Sequence, residues 1–149
     1  MPPWISVGAH RCYVEGDLFV MELHGPVSLA EVAVLLAPQE QLLLHTSEIF
    51  TLCDAREAVL PSPEVRRFLN ERGQRLGKAK ICSVVITHSA MLRTMLQLVE
   101  RAAMLLTGRP LDTRFVASEE AAWAWIAQRR SARVTRDEAD ADSRRRGAP

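Results

Sequence analysis

The chain has 149 residues, 48% of them hydrophobic and 25% charged, with a formal net charge of +1. That length and balance suit one soluble domain with a real core, and the near-neutral charge excludes a domain-wide field that would draw the chain to nucleic acid. Aromatic residues make up 5%, which is thin for a base-stacking surface, and no run approaches the ~20 apolar residues of a membrane span.

Met1-Pro2-Pro3-Trp4 has no charged start leading into an apolar core, so no secretion signal is read. Ser6 to Tyr13 and Leu18 to His24 are strand-like runs around a Glu15-Gly16-Asp17 turn, which predicts a β-hairpin ended by Gly25-Pro26. Ser28 and Glu31 fit a capping box, in which each side chain satisfies the other residue's backbone N–H. A helix starts at Leu29, with Val32, Leu35 and Leu36 on one face. Pro38 is expected to kink or split it, because proline removes a helical N–H and crowds the preceding turn; Gln39 to His45 is then its second half.

Ile49 to Asp54 is a short apolar run of β-formers, read as a buried strand with Asp54 closing its carboxyl end. A loop runs to Pro61. Ser62 can cap the next helix and Pro63 suits its first position, where a missing N–H costs nothing. From Pro63 to Leu76, Val65, Phe68, Leu69 and Leu76 form an apolar stripe, with Arg66, Arg67, Glu71, Arg72 and Arg75 mostly on the polar side. Gly77 is a C-terminal stop. Ile81 to Thr87 is a second buried strand, His88 sits at its end and Ser89 can cap the helix after it.

The helix Ala90 to Thr107 has a single narrow polar stripe of Arg93, Gln97, Glu100 and Arg101. Met91, Leu92, Met95, Leu96 and Leu98 are among the apolar residues around the rest. A helix this apolar is either deeply buried or covers a partner. Gly108 and Pro110 end it, Leu111 to Val116 is a last strand, and Ser118-Glu119-Glu120 opens a helix through Ile126 with acids at its positive end. Trp123 and Trp125 diverge on a helix, so one should be partly exposed. From Arg129 the periodicity is lost, and residues 129–149 read as a disordered tail after a domain of residues 1–128. The Arg144-Arg145-Arg146 run reads as solvated, without a nucleic-acid role.

Three widely spaced cysteines, Cys12, Cys53 and Cys82, lie in apolar segments, and no Cys or His pair has ligand spacing. Reduced, core-packed thiols in a cytoplasmic protein are expected, with no metal centre. The seven glycines are scattered, so no phosphate-cradling loop is present and no nucleotide cofactor is expected.

Strand–helix alternation after a hairpin predicts an α/β fold: a mostly parallel sheet of about five strands with right-handed crossovers. The order and several local signatures resemble the STAS-like superfamily, the anti-sigma-factor antagonists and their SpoIIAA-like (STAS/SEC14-type) bacterial relatives. The signatures are the strand ending in Asp54, Pro63-Glu64-Val65-Arg66-Arg67 opening a helix, Val84-Val85-Ile86-Thr87 leading to Met91-Leu92-Arg93, and Phe115 to Trp125. The resemblance implies helices mainly on one face of the sheet. It also implies a regulatory, non-enzymatic module that binds a protein partner. In the antagonists a serine at the start of this helix, in an Asp-Ser-Ser-Gly-like motif, is phosphorylated. Here the place reads Leu60-Pro61-Ser62-Pro63-Glu64, so only Ser62 carries over.

Each candidate has a plain and a sharper reading. Ser62 is a helix cap or a phosphorylation site, since a phosphate there would meet free N–H groups and the positive end of the dipole. Asp54 is a loop-bonding carboxylate or a site residue at the sheet edge beside Arg56 and His88. The expected interaction surface joins Asp54, Arg56, Ser62, Glu64, Arg66, Arg67 and His88. Met91, Met95 and Leu98 are core, a homodimer face, or the lining of a pocket for a small lipid-like ligand. His88-Ser89 with Asp54 has the residue types of a hydrolase but no Gly-x-Ser-x-Gly elbow, so catalysis is disfavoured.

Overall fold

Six strands lie side by side in the order in which they occur along the chain. The computed structural model describes residues 2–76, 79–108 and 112–147. Within them run β1 (Ile5–Val7), β2 (His10–Glu15), β3 (Leu18–Gly25), α1 (Leu29–His45), β4 (Glu48–Ala58), α2 (Pro63–Arg75), β5 (Lys80–Ile86), α3 (Ala90–Thr107), β6 (Asp112–Val116) and α4 (Glu119–Arg146). The first three strands are antiparallel neighbours, and β3 to β6 pair in parallel. The stop at Gly77, Pro110 and the first strand residue Leu111 fall outside the described residues.

Alternation along the strands sends successive side chains to opposite faces. On one face Cys12, Phe19 and Val65 pack with Val32, Leu35 and Leu36 of α1, and Cys53, Ala55 and Val85 pack with Leu92 of α3. On the other, Tyr13, Leu18, Val20, Phe50, Leu52, Val84 and Ile86 pack under Ala122 and Ile126 of α4. Three helices therefore cover one face and one covers the other. The caps stand where the sequence puts them. Ser28 and Glu31 form the reciprocal box, and Ser62, Ser89 and Ser118 each accept a first-turn N–H. All three cysteines are free and buried, and burial pushes the Cys53 and Cys82 thiols up to about 12.

The structure corrects several expectations. The sheet has six strands because Ser6 to Tyr13 is not one strand: it turns at Gly8, whose φ of 60° favours glycine and whose added Cβ would collide with the Glu31 carboxylate. Pro38 does not split α1. The bond it removes would reach the carbonyl of Val34, which is exposed, so water can take that place. β4 runs four residues beyond Asp54, because pairing with β3 continues to Gly25 and Ala58.

The expected tail is helix through Arg146. Its alanines, arginines and glutamate are good helix formers, although they offer no apolar face to bury. Charged bonds dock the segment after residue 128. Arg129 donates to Asp112 at 2.6 Å, and Arg130 and Arg133 donate to Asp17 at 2.5 and 2.8 Å. Burial pushes the Asp17 carboxyl up, but the two arginines outweigh it and hold it below its ordinary range. Trp123 is partly exposed, while Trp125 packs against the core, as their spacing requires.

Candidate functional site

The α4 face of the sheet ends in a cleft of about 520 Å³. Its floor is apolar, made by Tyr13, Val20, Leu52 and Ile86, with Trp4 and Trp123 among its walls. Above that floor a row of charged side chains crosses three strands: the register aligns Arg11, Glu22 and Asp54, and Ile86 of the floor continues the line on β5.

One irregularity builds the polar rim. Glu22 opposes Asp54, but His24 opposes Glu57, so three residues of β4 span two of β3. In regular strands residues three apart point to opposite faces; a bulge restores both to one face. Asp54 and Glu57 therefore both line the cleft, beside Glu22 and His24. The displaced His24 N–H donates to Nδ1 of buried His10 at 3.1 Å.

The rim is knitted by charge. His24 Nδ1 lies 2.6 Å from Glu57 Oε2 and His24 Nε2 lies 3.5 Å from Glu22 Oε2, which accepts from Arg11 Nε at 2.6 Å. Arg56 grips Asp54 with Nε and a terminal nitrogen at 2.9 and 2.5 Å. The hydrogen bonds from Arg56 hold the Asp54 carboxyl below its usual range despite partial burial. The Glu57 hydrogen bond raises His24 above its ordinary value, against partial desolvation and with help from Glu22. The stabilisation from charged His24 is thus present below its unfolded pKa and is lost as pH rises through the folded value. A proton NMR titration should place the His24 midpoint above that of a free histidine, and Glu57→Gln should bring it down. His24 is over a third exposed, so solvent screening keeps the associated change in stability small. An unmoved His24 midpoint in Glu57→Gln would contradict the pairing.

A second concavity, about 580 Å³, lies between α2 and α3 on the opposite face of the sheet. Leu60, Arg66, Met91, Met95 and Leu98 line it. Exposed Ser62 caps α2 beside it, its Oγ accepting from the Val65 N–H at 3.2 Å. Of the alternatives for α3, deep burial does not hold for most of its apolar arc. Among the described residues of α3 only Leu92 is buried, and Met91 and Leu98 are 67 and 58% exposed. α3 is last in its layer; α2 covers one flank, and the other flank has no neighbouring helix among the described residues.

The expected single surface is therefore two. Asp54, Arg56 and His88 line the cleft. Ser62, Glu64, Arg66 and Arg67 start α2 across the sheet, where Met91, Met95 and Leu98 join them. The seven residues between Asp54 and Ser62 lead from a side chain on the α4 face to a helix on the other.

Sequence reading missed Arg11, Glu22, His24, Glu57, Glu119 and both walls. The alternation Glu22-Leu23-His24 at the end of β3 was the available signal. Asp54 and His88 do share the cleft, but Asp54 is committed to Arg56. The Ser89 hydroxyl is turned into α3, where it accepts from the Leu92 N–H at 3.1 Å. That geometry gives a nucleophile–base pair no support. Among the described residues no three histidines, cysteines or acids converge as metal ligands.

No family model and no curated protein matches the chain. Among solved structures it is similar to an uncharacterised protein of the DUF3478 family with a SpoIIAA-like fold from Shewanella loihica PV-4. The two share 19% sequence identity and a TM-score of 0.57, over 78% of this chain and 91% of that one. At that identity the likeness speaks for the fold: the chain has the SpoIIAA-like α/β fold.

Proposed function

We propose that this SpoIIAA-like domain is a non-enzymatic regulatory module that binds a protein partner through its α2–α3 surface, with Ser62 as its phosphorylation switch. One observation carries the reading: exposed Ser62 caps α2 at the edge of an apolar groove that the domain leaves uncovered. A phosphate on Ser62 would meet the free first-turn N–H groups and the positive end of α2, with Arg66 one turn away. It would add negative charge where the partner sits. Among the described residues no helix is long and apolar enough to cross a membrane, which suits a partner met in solution.

Capture from native cells tests this. A partner held by the wild type and by Ser62→Ala should be lost with Ser62→Asp, and intact mass should show one phosphate under some growth condition. Identical partners for all three forms, with no phosphate, would defeat the switch.

A second reading, carriage of a lipid-like ligand, is favoured by the Met91, Met95 and Leu98 lining of the groove. Mass spectrometry of an organic extract of the purified protein tests it. A co-purifying apolar molecule that Leu98→Asp removes would support carriage, and an empty extract would not.

A further inference from the structure

The outer side of α3 carries a pattern that the domain leaves largely uncovered. Met91, Met95, Leu98, Ala102 and Leu105 succeed one another at steps of four, three, four and three residues. That is the spacing of a coiled-coil seam, about 20 Å long at 1.5 Å per residue. It runs beside the side that docks α3 on the sheet, where Leu92 is buried and Leu96 packs; half-buried Met95 touches both. Met91, Leu98 and Leu105 are 67, 58 and 84% exposed. Apolar residues at this spacing on an open face are what a helix-in-groove interface presents.

The charges beside the seam select its occupant. Arg66, Arg67 and Glu71 of α2 border it on one side, and Arg101 lies beside Leu98 and Leu105 on the other. Glu64 stands in the first turn of α2. Glu100 is turned away, partly buried beside Thr113 of β6. Among the described residues, none of Arg66, Arg67 and Arg101 is in an ion pair. The border is thus basic on balance.

We propose that the seam seats an amphipathic helix of the partner protein, with an apolar stripe at matching spacing and carboxylates on its flanks. This deepens the reading of the α2–α3 surface as a protein-binding site and rests on it. A second copy of the chain fits less well, because a seam-to-seam pair would set Arg66, Arg67 and Arg101 of each copy near those of the other. Like charges facing one another across an interface exclude partners.

The probes are two labelled model peptides of about five helical turns with the same leucine seam, one flanked by Glu and one by Lys, titrated against the full chain by fluorescence anisotropy. The Glu peptide should bind about tenfold or more tightly than the Lys peptide at low salt, and the gap should shrink as salt is raised. Leu98→Asp should abolish binding, and a double Arg66→Glu, Arg101→Glu replacement should reverse the preference. Circular dichroism should be unchanged in both variants, since the three positions are exposed.

Equal binding of the two peptides, or no binding up to about 100 μM, overturns the proposal. So does self-association in sedimentation that Leu98→Asp abolishes, or binding to phosphatidylglycerol vesicles in place of the peptide. The two readings fail separately. A native partner lost with Ser62→Asp but kept with Leu98→Asp leaves the regulatory module standing and removes the seam. Selective Glu-peptide binding with partner capture indifferent to Ser62→Asp does the reverse.

Discussion

Replacing Phe50 with alanine is expected to lower stability by about 3–5 kcal/mol, the usual cost of emptying a fully buried aromatic site. Phe50 is 0% exposed and lies in the central strand, flanked by Leu18 of β3 and Cys82 of β5. Its ring also carries the guanidinium groups of Arg130 and Arg133, at 5.3 and 5.2 Å. Those arginines reach over it to Asp17, so the ring supports both the sheet core and the docking of α4. With total stabilities near 5–15 kcal/mol, the variant loses a large fraction of its margin, and its melting temperature should fall by about 10 °C. Phe50→Leu, which keeps most of the volume, should cost about 1.5 kcal/mol. Urea unfolding of the three proteins checks the order. A Phe50→Ala loss under about 1 kcal/mol would mean that the site collapses around the gap.

The second large effect is polar. Arg72 is 9% exposed and joins α2 to α1: its terminal nitrogen donates to Gln39 Oε1 at 2.5 Å, and its Nε donates to Glu40 Oε1 at 2.9 Å. Gln39 in turn donates to Thr51 Oγ1 of β4 at 2.7 Å. The three elements are thus tied by one buried network. Arg72→Leu leaves the Gln39 carbonyl oxygen buried without a donor, and should cost about 2–4 kcal/mol. Removing Gln39 as well, in Arg72→Leu with Gln39→Leu, takes away the stranded acceptor, so the pair should cost less than the sum of the single changes. The coupling expected for contacting groups is about 1–3 kcal/mol. Additive costs in the double-mutant cycle would show that the two side chains stabilise the fold independently.

Arg72 also shows where sequence reading stopped. Its place on the helical wheel puts it with the polar residues of α2, and a wheel cannot reveal that α1 lies against that side. The elements with a strong local signal were legible: the strands at 49–54 and 81–87, the capping box at Ser28, the serine caps, and the buried face of Val32, Leu35 and Leu36. The failures share one cause, a neighbour far away in the chain. β4 continues through polar Asp54-Ala55-Arg56-Glu57 because β3 offers it a ladder. The middle of α4 is held by Asp17, more than a hundred residues back. The apolar arc of α3 stayed open between core and partner face because composition does not say that a layer of helices ends there. The same holds for the sites. Asp54 and Ser62 are near in sequence, but strand alternation and the crossover to α2 send them to opposite faces. The cleft draws on five elements, and apart from Asp54, Arg56 and His88 no short segment announced it.

The order of the strands bears on how the chain assembles as it leaves the ribosome. Each strand from β2 onward lies beside the one just made, so every new unit can add to a finished edge without threading or waiting for later sequence. The exception is α4, made after every strand it covers and, among the described residues, the one helix over Tyr13, Val20, Leu52 and Val84. Until residues 119–126 emerge, the nascent sheet carries a largely bare greasy side. A stop codon before residue 119 would leave that side open for good, a species for chaperones and proteases to clear.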